Sequence, residues 1–524
     1  NMIHNPILRG FHPDPSILRI GDDYYIATST FEWFPGVLVH HSKDLVHWRP
    51  LTSILTRSSQ LNMEGNIDSG GAWAPCLSYH DGMFYLIYTD VKSRKGAFKD
   101  THNYMVTASD IMGPWSEPIY LNSSGFDSSL FHDEDGRQWL VNMIWDHRKG
   151  TNSFAGIILQ EYSKEEKKLI GPKTNIFRGT HLRLTEGPHI YKRNGYYYLL
   201  TAEGGTQYNH AVTMARSRQL DGPYEVDPAN PILTSAGRTE LELQKAGHAS
   251  LVETQNGEWY MVHLVGRPVK DQLCMLGRET AIQRCHWTDD GWLEIDGGGN
   301  WPRSQVQAPR LPSHPFPAEP STDHFHRAEL GIQWNTLRIP ASQDWLSLTD
   351  RPGYLRLWGQ ESMSSTHRQS LVARRQQSMY CEAETSMAFS PENYQQMAGL
   401  IMYYDTRDYV YLRVTFHEEL GTCIGIIQSI DGVYDEILDQ DIPLREEGPF
   451  RLKVTIQREK AQFMYAVKDG EWTVIGPELD VSHLSDEYAD YIRFTGNFIG
   501  MCVQDLSGER QHADFDYFRY EELD

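Results

Sequence analysis

Apolar and polar residues alternate with a period of two through most of this chain, in runs too short for helices. Ser16-Ile17-Leu18-Arg19-Ile20 is followed by Gly21-Asp22 and then by Tyr24-Tyr25-Ile26. An apolar run, a tight turn and an aromatic run together predict a β-hairpin. The same cassette returns four times. Ala74-Pro75-Cys76-Leu77-Ser78 leads through Asp81-Gly82 to Phe84-Tyr85-Leu86, and Asp127-Ser128-Ser129-Leu130-Phe131 through Asp135-Gly136 to Trp139-Leu140-Val141. Glu186-Gly187-Pro188-His189-Ile190 leads through Asn194-Gly195 to Tyr197-Tyr198-Leu199, and His248-Ala249-Ser250-Leu251-Val252 through Asn256-Gly257 to Trp259-Tyr260-Met261. The copies recur at intervals of 60, 53, 59 and 62 residues, with further strand-like runs between them. Five sheet-sized units, each opened by the same hairpin, predict a five-bladed β-propeller.

In a propeller the innermost strand of every blade faces the central axis. The residues that head the five hairpins, Asp14, Ala74 (after Trp73), Asp127, Glu186 and His248, are therefore expected to converge at one end of it. Three carboxyls gathered in a cavity repel one another and lose hydration, which costs several kcal/mol. Such a cost points to function rather than turn chemistry. Asp14 stands between Pro13 and Pro15, which predicts a stiff, extended backbone at that residue. Metalloprotease, nucleophile-elbow, phosphate-loop and dinucleotide motifs are all absent.

The pattern breaks after the fifth cassette. Residues 301–322 contain six prolines and read as a stiff extended linker. Beyond it, alternating runs such as Tyr409-Val410-Tyr411-Leu412-Arg413-Val414 and Phe450-Arg451-Leu452-Lys453-Val454 predict a β-sandwich. The expected organisation is an all-β protein, with a propeller over residues 1–300 and a sandwich over 323–524.

Charge narrows the partners. Seventy acidic against 48 basic residues give a net charge of −22, a field that repels nucleic acid and anionic membranes but not a neutral substrate. Aromatic residues make up 12% of the chain, which suits stacking on sugar rings. No run approaches the roughly 20 apolar residues needed to span a bilayer. The six cysteines form no CxxC pair, so reduced thiols are expected, and with no leader visible, a cytoplasmic location.

The runs HNPILRGFHPDPSILRIGDDYYIATSTFEWFPGV, GGAWAPCLSYHDGMFYLIYTD, FDSSLFHDEDGR, RLTEGPHIYK and AGHASLVE, with FTGNFIGMCVQDLSG near the end, resemble glycoside hydrolase family 43. The likeness is to its β-xylosidases, which join a five-bladed propeller to a jelly-roll, concanavalin-like sandwich. It implies that Asp14 is the general base, Glu186 the general acid and Asp127 the residue that orients and tunes the acid. It further implies an inverting mechanism, in which two carboxyls about 6.5–9.5 Å apart leave room for a water. Phe31 and Trp73 match walls of the sugar subsite, Arg278 an arginine that reaches sugar hydroxyls, and Phe498 an aromatic that the sandwich inserts to close the pocket. His248 matches either a histidine that holds a divalent cation such as Ca2+ on the axis or one that binds near the carboxylates without metal. No cofactor is needed for the chemistry itself. The resemblance also implies a short oligosaccharide substrate and a homo-oligomer, dimer or tetramer. The expected activity is exo-acting β-1,4-xylosidase on xylo-oligosaccharides with α-L-arabinofuranosidase side activity. Arabinofuranosidase as the main activity and a non-catalytic sugar-binding propeller are the alternatives.

Overall fold

A computed structural model describes residues 1–524, all in strands, turns and loops, with no helix. Five consecutive sheets cover the first 295 residues, and in each the strands follow chain order outward from the axis. Their innermost strands are Ser16–Ile20, Gly71–His80, Ser129–His132, Glu186–Arg193 and Gln244–Glu253. The turns behave as their residues require. Asp81-Gly82 and Asn194-Gly195 both hold φ > 0 at each central position (49° and 79°, 51° and 80°), the twist that a two-residue hairpin needs.

Two residues past four of the five blade heads, and at Tyr191 in the other blade, side chains stitch one blade to the next around the axis. Ser250 Oγ accepts the Ile17 N–H (3.1 Å) and Ser16 Oγ accepts the Leu77 N–H (3.0 Å). The Cys76 thiol lies against the backbone of Leu130, and Ser129 Oγ donates to the Pro188 carbonyl (2.6 Å). Tyr191 Oη, further along its strand, accepts the Leu251 N–H (2.9 Å). All five seams are thus bridged by a side chain of the innermost strands.

The proline-rich stretch is not linker throughout. Gln305–Gln307 pairs antiparallel with Met2–His4 and joins the two ends of the propeller chain. Its later part is pinned across the propeller by Asp44, which accepts the His314 N–H at 2.8 Å, and by Arg49 over the Phe316 ring.

The C-terminal unit is a sandwich of an eight-stranded and a seven-stranded sheet. One face of the seven-stranded sheet (Leu400, Met402, Val410, Leu412) fills the core between the sheets. Its other face (Ile401, Tyr403, Tyr409, Tyr411) packs on the propeller in a second core shared with Phe11, Phe31, Trp33 and Trp73. Strands buried on both faces read as the near-continuous apolar runs of residues 396–414. Thr336–Leu337 also pairs with Trp33–Phe34, a strand contact between the two units. The sandwich therefore reaches the propeller at blades 1 and 2, beside the carboxylates.

Candidate functional site

Backbone geometry sets the site before side chains do. Asp14, Ala74, Asp127 and His248 all hold a left-handed φ (57°, 31°, 58° and 54°). Such a conformation costs a non-glycine residue about 1–2 kcal/mol, and here it recurs at every blade. The pairing register slips at these points in blades 2, 4 and 5, the mark of a β-bulge that re-aims a side chain. In the fourth blade the left-handed residue is Gly187 (φ 61°), not Glu186. A Cβ on Gly187 would come within 3.1 Å of His248 Nδ1, so glycine is needed there twice over. Two expectations are corrected. Asp14 is not extended, because the blade head overrides what its prolines favour. Glu186 stands one residue before the head, in the position that Trp73 and Phe126 occupy in blades 2 and 3.

Both kinds of position face one cavity of about 250 Å3. Asp14, Asp127, Glu186, His248, Arg278, Phe31 and Trp73 all line it. Asp14 is 6% exposed and fully engaged. Its Oδ2 accepts the Ser29 hydroxyl (2.6 Å), and its Oδ1 accepts Arg278 Nη1 (3.2 Å) with His248 Nδ1 3.8 Å away. Ser29 is in turn fixed by the Ala74 N–H (2.7 Å). Asp127 Oδ2 accepts the Gly187 N–H (3.0 Å), which ties the second carboxyl to the residue beside the third.

The three carboxyls are driven apart electrically. Burial raises all of them, but at Asp14 the Arg278 guanidinium, His248 and the Ser29 hydrogen bond outweigh it and hold the group below its ordinary value. Asp127 is pushed up to about 6, chiefly by burial and, against the pull of His248, by Asp14. Glu186 is raised well above the ordinary range by burial and then by its anionic neighbours Asp127 and Asp14. Near neutral pH the arrangement presents one firmly ionised carboxylate and one carboxylic acid. That pairing is what proton donation to a leaving oxygen and activation of a water require.

Arg278 links the site to the sandwich. Besides Asp14 it donates to Thr206 Oγ1 (3.1 Å) and to the Phe494 carbonyl (3.2 Å), and it lies over the rings of Phe31 and Phe494. Phe498, expected to close the pocket, does not reach it. It opens the strand Phe498–Asp505 and stacks on Trp33 at 3.8 Å, fully buried in the shared core. The sandwich residues that line the cavity are Ile492 and Phe494, four to six positions earlier in the loop before that strand. Phe494 stacks on Phe31 (5.8 Å) and meets Trp73 edge-on (5.3 Å). Ser69 fixes both walls, its carbonyl accepting the Trp73 indole N–H (2.9 Å) and its hydroxyl the Phe494 N–H (3.1 Å).

Sequence reasoning also passed over Phe126, which shares the repeat position of Trp73 and Glu186, and with it Trp145, Phe154, Lys99, Thr206 and His210. His210 is 1% exposed, with neither ring nitrogen partnered, and burial followed by His248 and Arg278 lowers it to about 3. A resident Ca2+ takes six to eight oxygens. The axis offers imidazoles at His248 and His210 beside an already engaged Asp14, and no three His, Cys, Asp or Glu side chains meet in a way that could hold a metal ion. The protein's own oxygens alone do not make a calcium cage here.

The geometry has matching relatives. Residues 3–293 match the family model for glycosyl hydrolases family 43, and residues 322–521 that for the β-xylosidase C-terminal concanavalin A-like domain. A β-xylosidase of Bacillus subtilis (strain 168) is 52% identical, with 99% of each chain covered. A non-reducing end α-L-arabinofuranosidase of Bacteroides ovatus is 34% identical over 99% of this chain and 95% of its own. The crystal structure of a xylan β-1,4-xylosidase from Bacillus halodurans C-125 superimposes with a TM-score of 0.99 at 65% identity, covering 99% of this chain and 100% of that one.

Proposed function

The chain belongs to glycosyl hydrolases family 43, and from that premise we propose that it is an inverting, exo-acting β-1,4-xylosidase with α-L-arabinofuranosidase side activity. The observation that carries the reading is the opposed titration of Asp14 and Glu186 in one small cavity walled by aromatic rings. Asp14, held ionised by Arg278, takes a proton from a water as that water attacks the anomeric carbon. Glu186 gives its proton to the departing glycosidic oxygen. Asp127, hydrogen-bonded to the Gly187 N–H, keeps the acid carboxyl oriented and its proton held. Phe31, Trp73 and Phe494 enclose the sugar being released, and His248 and His210 lie buried at the axial end. A pocket closed in this way favours removal of one terminal pentose at a time. The six cysteines, all free and buried, suit a reducing cytoplasm.

Proton NMR of aryl β-D-xyloside hydrolysis, in which the glycone is the only free sugar released, tests the reading. The first-formed sugar is expected to be the α-anomer of xylose, appearing before mutarotation. A β-anomer at first appearance would overturn inversion, and faster turnover of an aryl α-L-arabinofuranoside than of the matching β-D-xyloside would reverse the main activity.

Phe494 gives a second check. Phe494→Ala removes a wall contributed by the sandwich and one face of the Arg278 guanidinium. Such aromatic contacts amount to about 1 kcal/mol each, so KM for an aryl xyloside is expected to rise about tenfold, with a smaller fall in kcat. Phe498→Ala is expected to act on thermal stability instead.

A further inference from the structure

Aromatic rings continue outward from the catalytic carboxylates. Trp73 meets Phe126 edge-on at 5.3 Å, Phe126 meets Phe154 at 6.2 Å, and Phe154 meets Trp145 at 5.6 Å. All four line the cavity. The series does not stop at its mouth. The Trp145 indole N–H donates to the Ala97 carbonyl (2.9 Å), and Lys99 Nζ sits 4.3 Å from the same ring. These two contacts hold the loop 94–99 against the wall. Between them in sequence lies Phe98, whose ring packs 5.0 Å from that of His147, two residues beyond Trp145. Phe98 is 69% exposed, more than any other large apolar side chain in the propeller.

An exposed ring at a fixed position needs a reason. Leaving a phenylalanine in water forgoes about 1.5–3 kcal/mol of burial. The loop does not hide it: Arg94 donates to the Ile492 carbonyl (2.8 Å) and Lys99 to the Arg94 carbonyl (2.5 Å), so the backbone on each side is anchored while Phe98 projects. Tyr491, which meets the same loop, has a ring face covered by Lys95 at 3.6 Å. The free aromatic surface of this loop is thus Phe98, joined through His147 to the wall that carries Trp145.

We infer that Phe98 and His147 form an outer stacking platform for a second leaving-group xylosyl residue, beyond the one seated against Trp145. The ligand class is a neutral pentopyranose ring of a β-linked oligosaccharide. A ring has two apolar faces that a flat aromatic can meet without charge, and a strongly anionic protein raises no barrier to a neutral one. The inference rests on the xylosidase reading and gives it a chain-length preference: the platform is empty with xylobiose and filled with xylotriose.

The experiment compares kcat/KM for an aryl β-D-xyloside, xylobiose, xylotriose and xylotetraose in the wild type, Phe98→Ala and Phe98→Trp. Phe98→Ala is expected to lower kcat/KM for xylotriose and xylotetraose about 3- to 10-fold, the size of one aromatic contact, and to leave the two shorter substrates within about 2-fold. Phe98→Trp is expected to keep the wild-type profile. Equal losses on all four substrates, or no loss on any, would overturn the platform. Equal losses with a smaller particle in light scattering would instead make Phe98 a contact between copies. Failure of the xylosidase reading itself would show in the wild type, through absence of xylobiose cleavage, and would overturn both.

Discussion

Asp14→Asn is expected to reduce kcat on an aryl xyloside by about 10^4-fold while leaving KM and melting temperature close to wild type. The change is nearly isosteric. Its oxygen can still accept from Arg278 Nη1, and its amide can donate toward Ser29 Oγ in place of the 2.6 Å contact made now. What is lost is charge. A neutral amide takes no proton from water, and Arg278 loses its only carboxylate partner while still bound to Thr206 and to the Phe494 carbonyl. Circular dichroism and binding of unhydrolysed xylobiose check that the pocket persists. Residual turnover above about 1% would move the base to another group. The wild-type pH profile should carry the same signature. Since Asp14 is held below its usual range, activity should persist into mildly acid solution and be lost only as pH falls through that lowered value.

Glu186→Gln is expected to depend on the leaving group. The xylose expelled from xylobiose departs as an alkoxide unless protonated, so kcat on xylobiose should fall about 10^2- to 10^4-fold. A nitrophenolate leaves without help, so the corresponding aryl xyloside should lose far less. The alkaline limb of the pH profile should also disappear. In the wild type Glu186 must stay protonated, and activity falls as pH rises through its raised value, whereas a glutamine has no such limb. Equal loss on both substrates with the limb intact would remove Glu186 from the acid role. Stability gives an independent reading. A carboxyl raised on folding binds its proton more tightly in the native state, so it detracts from stability as pH climbs above the unfolded value. Glu186→Gln should therefore raise the melting temperature at pH 7 and above, with little change near pH 4.

Much of this was legible in the chain because a propeller repeats itself. Five hairpins at near-constant spacing identify the blades, and their heads carry Asp14, Asp127 and His248. In the fourth blade the chemical repeat and the backbone repeat differ by one residue. Glu186 resembles the other acids chemically, but the position is defined by backbone, and its marker is Gly187, whose φ matches its counterparts. Aligned on that glycine, the repeat would have shown Phe126 beside Trp73 as a wall. The prolines around Asp14 misled for the same reason: local preference favours extension, while the bulge at the blade head imposes a left-handed turn. Phe494 and Phe498 could not be separated by composition or spacing. Which one enters the pocket depends on where the strand Phe498–Asp505 begins and on packing against Trp33, more than 460 residues earlier in the chain. Ser69 and Thr206 bind Phe494 and Arg278, partners distant in sequence, and His210 is defined by burial alone, so none left a local trace.

The stitched axis also dictates an order of events during synthesis. Four seams can form as successive blades emerge, but Ile17 must wait for Ser250, 233 residues later, before the circle closes. Asp14 acquires the Arg278 counter-charge later still, and the rings at its pocket are incomplete until Phe494 has been made. Contacts of such separation are slow to form and leave sheet edges exposed meanwhile. The nascent chain therefore cannot complete its carboxylate site before residue 278 is made, nor its pocket walls before residue 494, and a ribosome-stalled chain ending before residue 278 should be folded in its early blades yet unable to turn over substrate.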